Sequence, residues 1–312
     1  MTLKNLLHPV RDHDEIEAIL SRTPVLTYHK IDPRNEFGIN ALGPEKFRQQ
    51  MQLLYEEGIQ PITFQDLLYQ KELPGKTVII TFDDAYESVF QHALPILAQF
   101  GFRAVIYVIG GFIGKLNTWD VNPGGIRFRH MTAEQIQAVA AQGWEVGAHT
   151  MTHRALTRLN SRILAKELGE SQKLLQDLCQ QKIISLAYPF GLQNLEVRAI
   201  AGHFGFVFAC QGIRARQGAS NRMMLLRIPV YQLESLESFR KKLRWPQMPI
   251  AQKLKLAALS WPANLTPFYQ RFFRRELFLD KEGRSDVYFN ATSIRQSVRN
   301  IRIQQEAQNH GK

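Results

Sequence analysis

The sequence predicts an α/β chain built on a parallel sheet or barrel, and three observations carry that prediction. Short apolar runs rich in β-branched residues alternate with stretches of helical periodicity, the pattern of repeated strand and helix units. The best of these runs, Lys76-Thr77-Val78-Ile79-Ile80-Thr81-Phe82, is apolar without period-two alternation, as a strand covered on both faces would be. The 312 residues, 45% of them hydrophobic, suffice for one domain of about 200–250 residues with extensions.

In chain order, residues 1–20 read as a polar lead-in helix, and Val25-Leu26-Thr27-Tyr28-His29 follows Pro24 as a first buried strand. Gly43-Pro44-Glu45 opens a helix with Phe47, Met51, Leu53 and Leu54 on its apolar face, stopped at Gly58. A short strand or turn at Pro61 leads to another helix. The strand over 76–82 ends on Asp83-Asp84, and a helix over 87–100 leads through Gly101 into the strand 103–109. Residues 111–130, rich in Gly and Pro, predict a long surface loop rimming a cleft. Thr132-Ala-Glu-Gln135 is a capping box for a helix ending at Gly143, and Trp144-Glu-Val-Gly-Ala-His149 follows. An amphipathic helix from Ser161, a strand over 183–188, a helix over 195–201 and strands over 206–210 and 224–230 complete a plausible barrel.

Composition narrows the function classes. Cys179 and Cys210 lie in apolar stretches without C-x-x-C spacing, so neither a thiolate zinc site nor a disulfide framework is expected. No secretory signal is visible at Met1–Asp14, which leaves a cytoplasmic reading by sequence. The longest apolar run, 104–114, is about half the roughly 20 residues a spanning helix needs. The net charge of +11 is concentrated at the end: residues 240–312 hold 15 Lys or Arg against 5 Asp or Glu. Within this basic extension, 250–259 and 268–275 have the pattern of amphipathic helices, which suggests contact with an anionic membrane surface or a solvated helical extension on the barrel. No recognised motif accompanies the charge, so nucleic acid is not an expected partner.

Two tracts carry chemistry. Adjacent carboxylates at the end of a buried strand repel each other and lose hydration, so Asp83 and Asp84 require a cation or strong donors unless they merely cap the next helix. His149-Thr150-Met151-Thr152-His153 offers two imidazoles, on one helical face or in a tight loop, suited to a borderline-soft divalent metal. The pair lacks the Glu of the metalloprotease pattern, since Thr150 follows the first His. His29, at a strand end, is either a satisfied structural residue or a catalyst.

Thr81-Phe-Asp-Asp84, His149-Thr-Met-Thr-His153 and Ala187-Tyr-Pro-Phe-Gly191 together resemble the successive motifs of the polysaccharide deacetylases, the carbohydrate esterases with a NodB-type homology domain. The resemblance covers about residues 20–232 and implies a distorted (β/α) barrel catalytic domain over 21–232, after a lead-in at 1–20 and before the extension at 233–312. It implies Asp84, His149 and His153 as ligands of a divalent metal, most often zinc. Asp83 would be the general base, and the backbone N–H of Phe190 an oxyanion donor. The strand 225–231 has no His where many members carry the general acid, but Leu26-Thr-Tyr-His29 resembles the permuted subset acting on poly-N-acetylglucosamine, which makes His29 the acid. Where many members orient the base with an Arg, this chain has Ala187, which leaves the residue orienting Asp83 unassigned. Members commonly act in the cell envelope or outside the cell.

The implied reaction is hydrolysis of N-acetyl groups on an N-acetylglucosamine-containing polysaccharide, with acetate released. The alternatives are a glycan-binding protein that keeps the metal without catalysis, or an O-acetyl esterase of acetylated xylan. Tyr86, Trp119 and Tyr188, near strand ends, are candidates to stack on sugar rings or to pack the core.

Overall fold

A computed structural model of the chain describes residues 9–34, 40–120, 127–212, 221–244 and 246–247. The tracts at 250–259 and 268–275 expected to form basic amphipathic helices lie outside the described residues.

Eleven strands and eight α-helices are present among the described residues: α1 (His13–Arg22), β1 (Val25–Tyr28), β2 (Lys30–Ile31), β3 (Ala41–Leu42), α2 (Pro44–Glu56), β4 (Gln60–Pro61), α3 (Phe64–Tyr69), β5 (Thr77–Phe82), α4 (Leu94–Gln99), β6 (Val105–Val108), α5 (Ala133–Ala141), β7 (Glu145–Ala148), α6 (Ser161–Cys179), β8 (Ser185–Ala187), α7 (Leu195–His203), β9 (Phe208–Gln211), β10 (Leu225–Leu226), β11 (Ile228–Pro229) and α8 (Leu236–Lys242). Helix starts follow the side chains that cap them. Asp12, Thr63, Thr132, Asn160, Asn194 and Ser235 each accept from a backbone N–H of the first turn, and the box at Thr132 and Gln135 is complete in both directions.

The main sheet runs β10-β9-β8-β7-β6-β5-β1-β11 with β4 added on β5, every pairing parallel. Its two ends, β10 and β11, are consecutive in the chain and separated by one residue, Arg227. The single strand expected over 224–230 is therefore two short pairings. Leu225 and Leu226 lie beside Cys210 and Gln211, whereas Ile228 and Pro229 lie beside Leu26 and Thr27. One kinked segment thus nearly closes the sheet into a distorted (β/α) barrel.

The period-two alternation of strands divides the core. Leu26, Val78, Ile80, Ile106, Val146 and Leu186 face outward and pack against the helices. Val25, Ile79, Val105, Tyr107, Phe208 and Cys210 form the inner cluster, plugged at one end by Ile16, Ile19 and Leu20 of α1. Gly147 on β7 is required by that filling: a Cβ there would meet the Tyr107 ring at 2.5 Å. At the other side, α8 buries Phe239 in the outer core.

Three expectations need correction. The helix expected over 87–100 begins as a π-helical turn, Val89–Ala93, before α4, because Pro95 has no N–H to continue the ordinary ladder. The capping alternative for Asp83 and Asp84 also fails. Asp84 and Ala85 have left-handed backbones (φ 68° and 50°), and neither Asp caps the turn. The stretch 111–130, expected on the surface, folds inward where it is described: Ile109, Phe112 and Trp119 form a buried cluster, and Phe128 and His130 are also buried. Cys179 and Cys210 are both free thiols.

Candidate metal and active site

Alternation along β5 sends Thr81 and then Asp83 toward the barrel axis, at the carboxyl ends of the strands. The left-handed turn at Asp84 rotates the second carboxylate sideways, toward the end of β7. A non-glycine residue in that conformation stores strain, which the surroundings must hold. Part of the hold comes from His130, whose Nδ1 lies 2.6 Å from the Asp84 carbonyl oxygen and, since a carbonyl only accepts, donates to it. The Trp119 indole N–H in turn points at His130 Nε2, 3.4 Å away.

β7 ends at Ala148, and the next five residues make a tight loop rather than a helix, with Thr150 at φ 65° and His153 at φ 54°. His149 Nδ1 donates to the Ala187 carbonyl oxygen at 2.7 Å, which leaves the Nε2 lone pair directed into the site. There it lies 3.2 Å from His153 Nε2 and 3.5 Å from Asp84 Oδ1, and His153 Nε2 is 3.6 Å from the same oxygen. All three side chains are buried. A tetrahedral ion about 2.0–2.1 Å from each donor would set neighbouring donors about 3.3 Å apart, so the spacing suits a small divalent metal.

The polar bookkeeping agrees. Asp84 Oδ1 is buried without a hydrogen-bond donor, a costly state that a bound cation would relieve. Burial, then the charge of Asp83, pushes the Asp84 carboxyl well above the usual range. Burial also holds His149 and His153 below the ordinary imidazole value, His153 with a further push from His149, so both are in the neutral state that binds metal.

Asp83 is treated differently. Arg227 grips it with two parallel hydrogen bonds, Nη1 to Oδ1 at 2.5 Å and Nη2 to Oδ2 at 2.7 Å. Burial alone would raise the Asp83 carboxyl; Arg227 and His149 overcome that and hold it at about 2. The guanidinium itself is buried, its carbon 5.4 Å from the centre of the Tyr107 ring. Asp83, Arg227 and Tyr107 thus run down the inside of the barrel, in the space that Gly147 leaves. Two adjacent acids differ in environment: one is locked in the ionised state, the other keeps a buried oxygen without a donor.

The family model described as Polysaccharide deacetylase matches residues 70–209. The Bacillus subtilis (strain 168) protein YxkH, assigned to the same family, is 30% identical over 207 residues, covering 65% of this chain and 67% of its own length. The chain belongs to the polysaccharide deacetylases. The poly-beta-1,6-N-acetyl-D-glucosamine N-deacetylase of Staphylococcus aureus (strain MRSA252) is 25% identical over 166 residues, 49% of this chain and 55% of the relative, so this deacetylase spans about half of that enzyme's length. Among solved structures, IcaB from Ammonifex degensii superposes with a TM-score of 0.59 at 26% identity, over 73% of this chain and 97% of the other. The Streptococcus pyogenes deacetylase PplD, solved in complex with acetate, shares the fold with a TM-score of 0.61 at 24% identity, over 71% and 97%.

In this deacetylase the structure brings Asp84, His149 and His153 together, with Asp83 adjacent in the chain. His29 follows β1, the strand paired with β5, and is half-buried; burial, partly opposed by Asp83, pushes it down to about 4. Phe190 sits at the edge, half-buried, with φ 60° and its ring 4.8 Å from that of His153. The three aromatic candidates, read as stacking on sugars or packing the core, are all buried. Tyr188 donates from its hydroxyl to the Met223 carbonyl oxygen, and Tyr86 stacks on His130. Trp119 lies against His153 at 3.8 Å between ring centres. All three are at most 3% exposed, and of them Trp119 touches a candidate metal ligand. The sequence reading missed Arg227, the group that orients Asp83, although a single Arg inside the apolar run 225–230 was the available signal. It also missed His130, for which a lone His after a Gly-rich stretch was only a weak signal.

Proposed function

We propose that this deacetylase removes N-acetyl groups from a polymer of N-acetylglucosamine, using a divalent metal held by Asp84, His149 and His153. The observation that supports the metal is the donor triangle of 3.2, 3.5 and 3.6 Å around a buried carboxylate oxygen that has no other partner. The substrate class rests on the likeness to the staphylococcal poly-N-acetylglucosamine deacetylase and to IcaB. Two nitrogens and one carboxylate oxygen favour zinc, which when bound lowers the pKa of a water toward neutrality and polarises a carbonyl.

The chain's own groups supply the rest. Asp83, ionised and immobilised by Arg227, accepts a proton from the attacking water as its oxygen adds to the acetyl carbon. The backbone N–H of Phe190 donates to the carbonyl oxygen as negative charge develops on it. His29 is neutral in the resting site, so the proton it hands to the sugar nitrogen as the C–N bond breaks is the one Asp83 took from the water, relayed through the imidazole. Water and amide give acetate, a free amine and one proton released to solvent, so the atoms and charge balance.

Acetate release tests this reading, with zinc-loaded protein on β-1,6-linked N-acetylglucosamine oligomers, peptidoglycan and acetylated xylan. Release from the N-acetylated oligomers, lost with a chelator and in Asp83→Asn, is expected. Release from acetylated xylan alone would replace the reading by an O-acetyl esterase, and none from any substrate would overturn it.

A further inference from the structure

The metal-donor loop owes its shape to a residue outside every motif considered above. Glu167 lies on α6, in the stripe that also carries Leu164, Leu168, Ser171 and Leu175, and it is fully buried. Its Oε2 accepts from the backbone N–H groups of both Met151 and Thr152 at 2.9 Å, and its Oε1 accepts from the Thr152 hydroxyl. Consecutive amides on one carboxylate require a tight reversal of the chain, and Thr150, just before them, is left-handed at φ 65°. On the far side of the loop, Gly110 and Gly111 donate to the Thr150 and Met151 carbonyl oxygens, both at 2.9 Å. The Thr150 hydroxyl then accepts from the His153 N–H at 3.0 Å. The loop is gripped from two sides between the two imidazoles.

We propose that Glu167 is a positioning residue for the metal site, a role that rests on the metal reading above. A buried carboxylate is costly unless donors satisfy it, and here the donors are the backbone of the loop itself. Helix α6 therefore fixes the left-handed turn in advance and places His153 Nε2 against His149 Nε2 before any ion arrives. Without this hold, metal binding would have to supply the cost of ordering the turn, which weakens affinity. A role confined to packing α6 on the barrel would lower stability and leave affinity unchanged.

Zinc dissociation constants of the full chain, read by competition with a chromophoric chelator, are to be paired with hydrogen exchange of the metal-free protein at the amides of 151 and 152. Glu167→Gln keeps the size of the side chain but removes the charge and one acceptor: with its amide oxygen on the Met151 and Thr152 N–H groups, its N–H₂ meets the Thr152 hydroxyl in place of a carboxylate oxygen. About tenfold or greater loss of zinc affinity is expected, with faster exchange at both amides. Thr152→Ser, which keeps the hydroxyl, should stay within about twofold to threefold of the parent, and Thr152→Val should bind more weakly than Thr152→Ser. An unchanged zinc constant in Glu167→Gln overturns the proposal; if that variant does not fold, equal affinities of Thr152→Val and Thr152→Ser overturn it. A parent protein that takes up no zinc defeats the metal reading, and this proposal with it.

Discussion

Each end of the barrel buries a carboxylate, and the two are satisfied in opposite ways. At the amino end, Glu145 opens β7 and is 1% exposed, but both of its oxygens have donors: Ser185 Oγ at 2.5 Å and the Gln65 N–H at 2.8 Å. At the carboxyl end, Asp84 is 3% exposed, and its Oδ1 has no donor and faces two neutral imidazoles. Burial pushes both groups upward, Glu145 to about 7. The difference teaches that burial alone does not mark a site. A saturated acid holds the fold together, whereas an acid left short beside lone pairs awaits a ligand.

The comparison predicts that substitutions at the carboxyl end cost activity and those at the amino end cost stability. The largest effect belongs to Asp83→Asn, where loss of the base should lower turnover on the order of 10²- to 10⁴-fold in the acetate assay. Arg227→Met tests the one group that serves both purposes. It leaves Asp83 ionised and unpaired in the barrel, so urea unfolding should show a loss of about 3–5 kcal/mol. The double variant Asp83→Asn/Arg227→Met, with no charge stranded, should recover most of it.

At the amino end the test is pH. Glu145 releases its proton at about 7 in the folded protein and near 4.3 in the unfolded chain. Its stabilising contribution is therefore fully present below about pH 4 and is lost as pH rises through 7. Between pH 5 and pH 8 the parent should lose on the order of 2 kcal/mol more stability than Glu145→Gln, with turnover of the variant unchanged. Equal pH slopes in the two proteins would remove the distinction drawn here. The smallest effect is Thr132→Ala, which removes one side of the α5 capping box and should cost about 1 kcal/mol in thermal unfolding without touching acetate release.

Much of this was legible in the sequence because local chemistry decided it. The capping box at Thr132, the buried run before Asp83 and the His pair all depend on neighbours within a few residues. What escaped was set by closure of the barrel. Nothing in Leu225-Leu-Arg-Ile-Pro shows that its two halves pair with different strands, or that the residue between them lands on Asp83. Glu167 was visible as an acid interrupting an apolar stripe, but its partners lie in a loop whose left-handed turns have no glycine to announce them. For the aromatics the sequence left stacking and packing both open, because exposure is not written locally. Tyr86, Trp119 and Tyr188 do stand near strand ends, yet all are buried: Tyr86 stacks on His130, Trp119 packs with Ile109 and Phe112, and the Tyr188 hydroxyl donates to the Met223 carbonyl oxygen.

The central claim is that Asp84 is left unsatisfied because it holds a metal, and thermal unfolding with and without zinc tests it most directly. One equivalent of zinc should raise the melting temperature of the parent and leave Asp84→Asn unmoved. The metal-free variant should melt higher than the metal-free parent, since it no longer buries a second acid beside Asp83. Equal zinc shifts in the two proteins, or a metal-free variant that melts below the parent, would contradict the account.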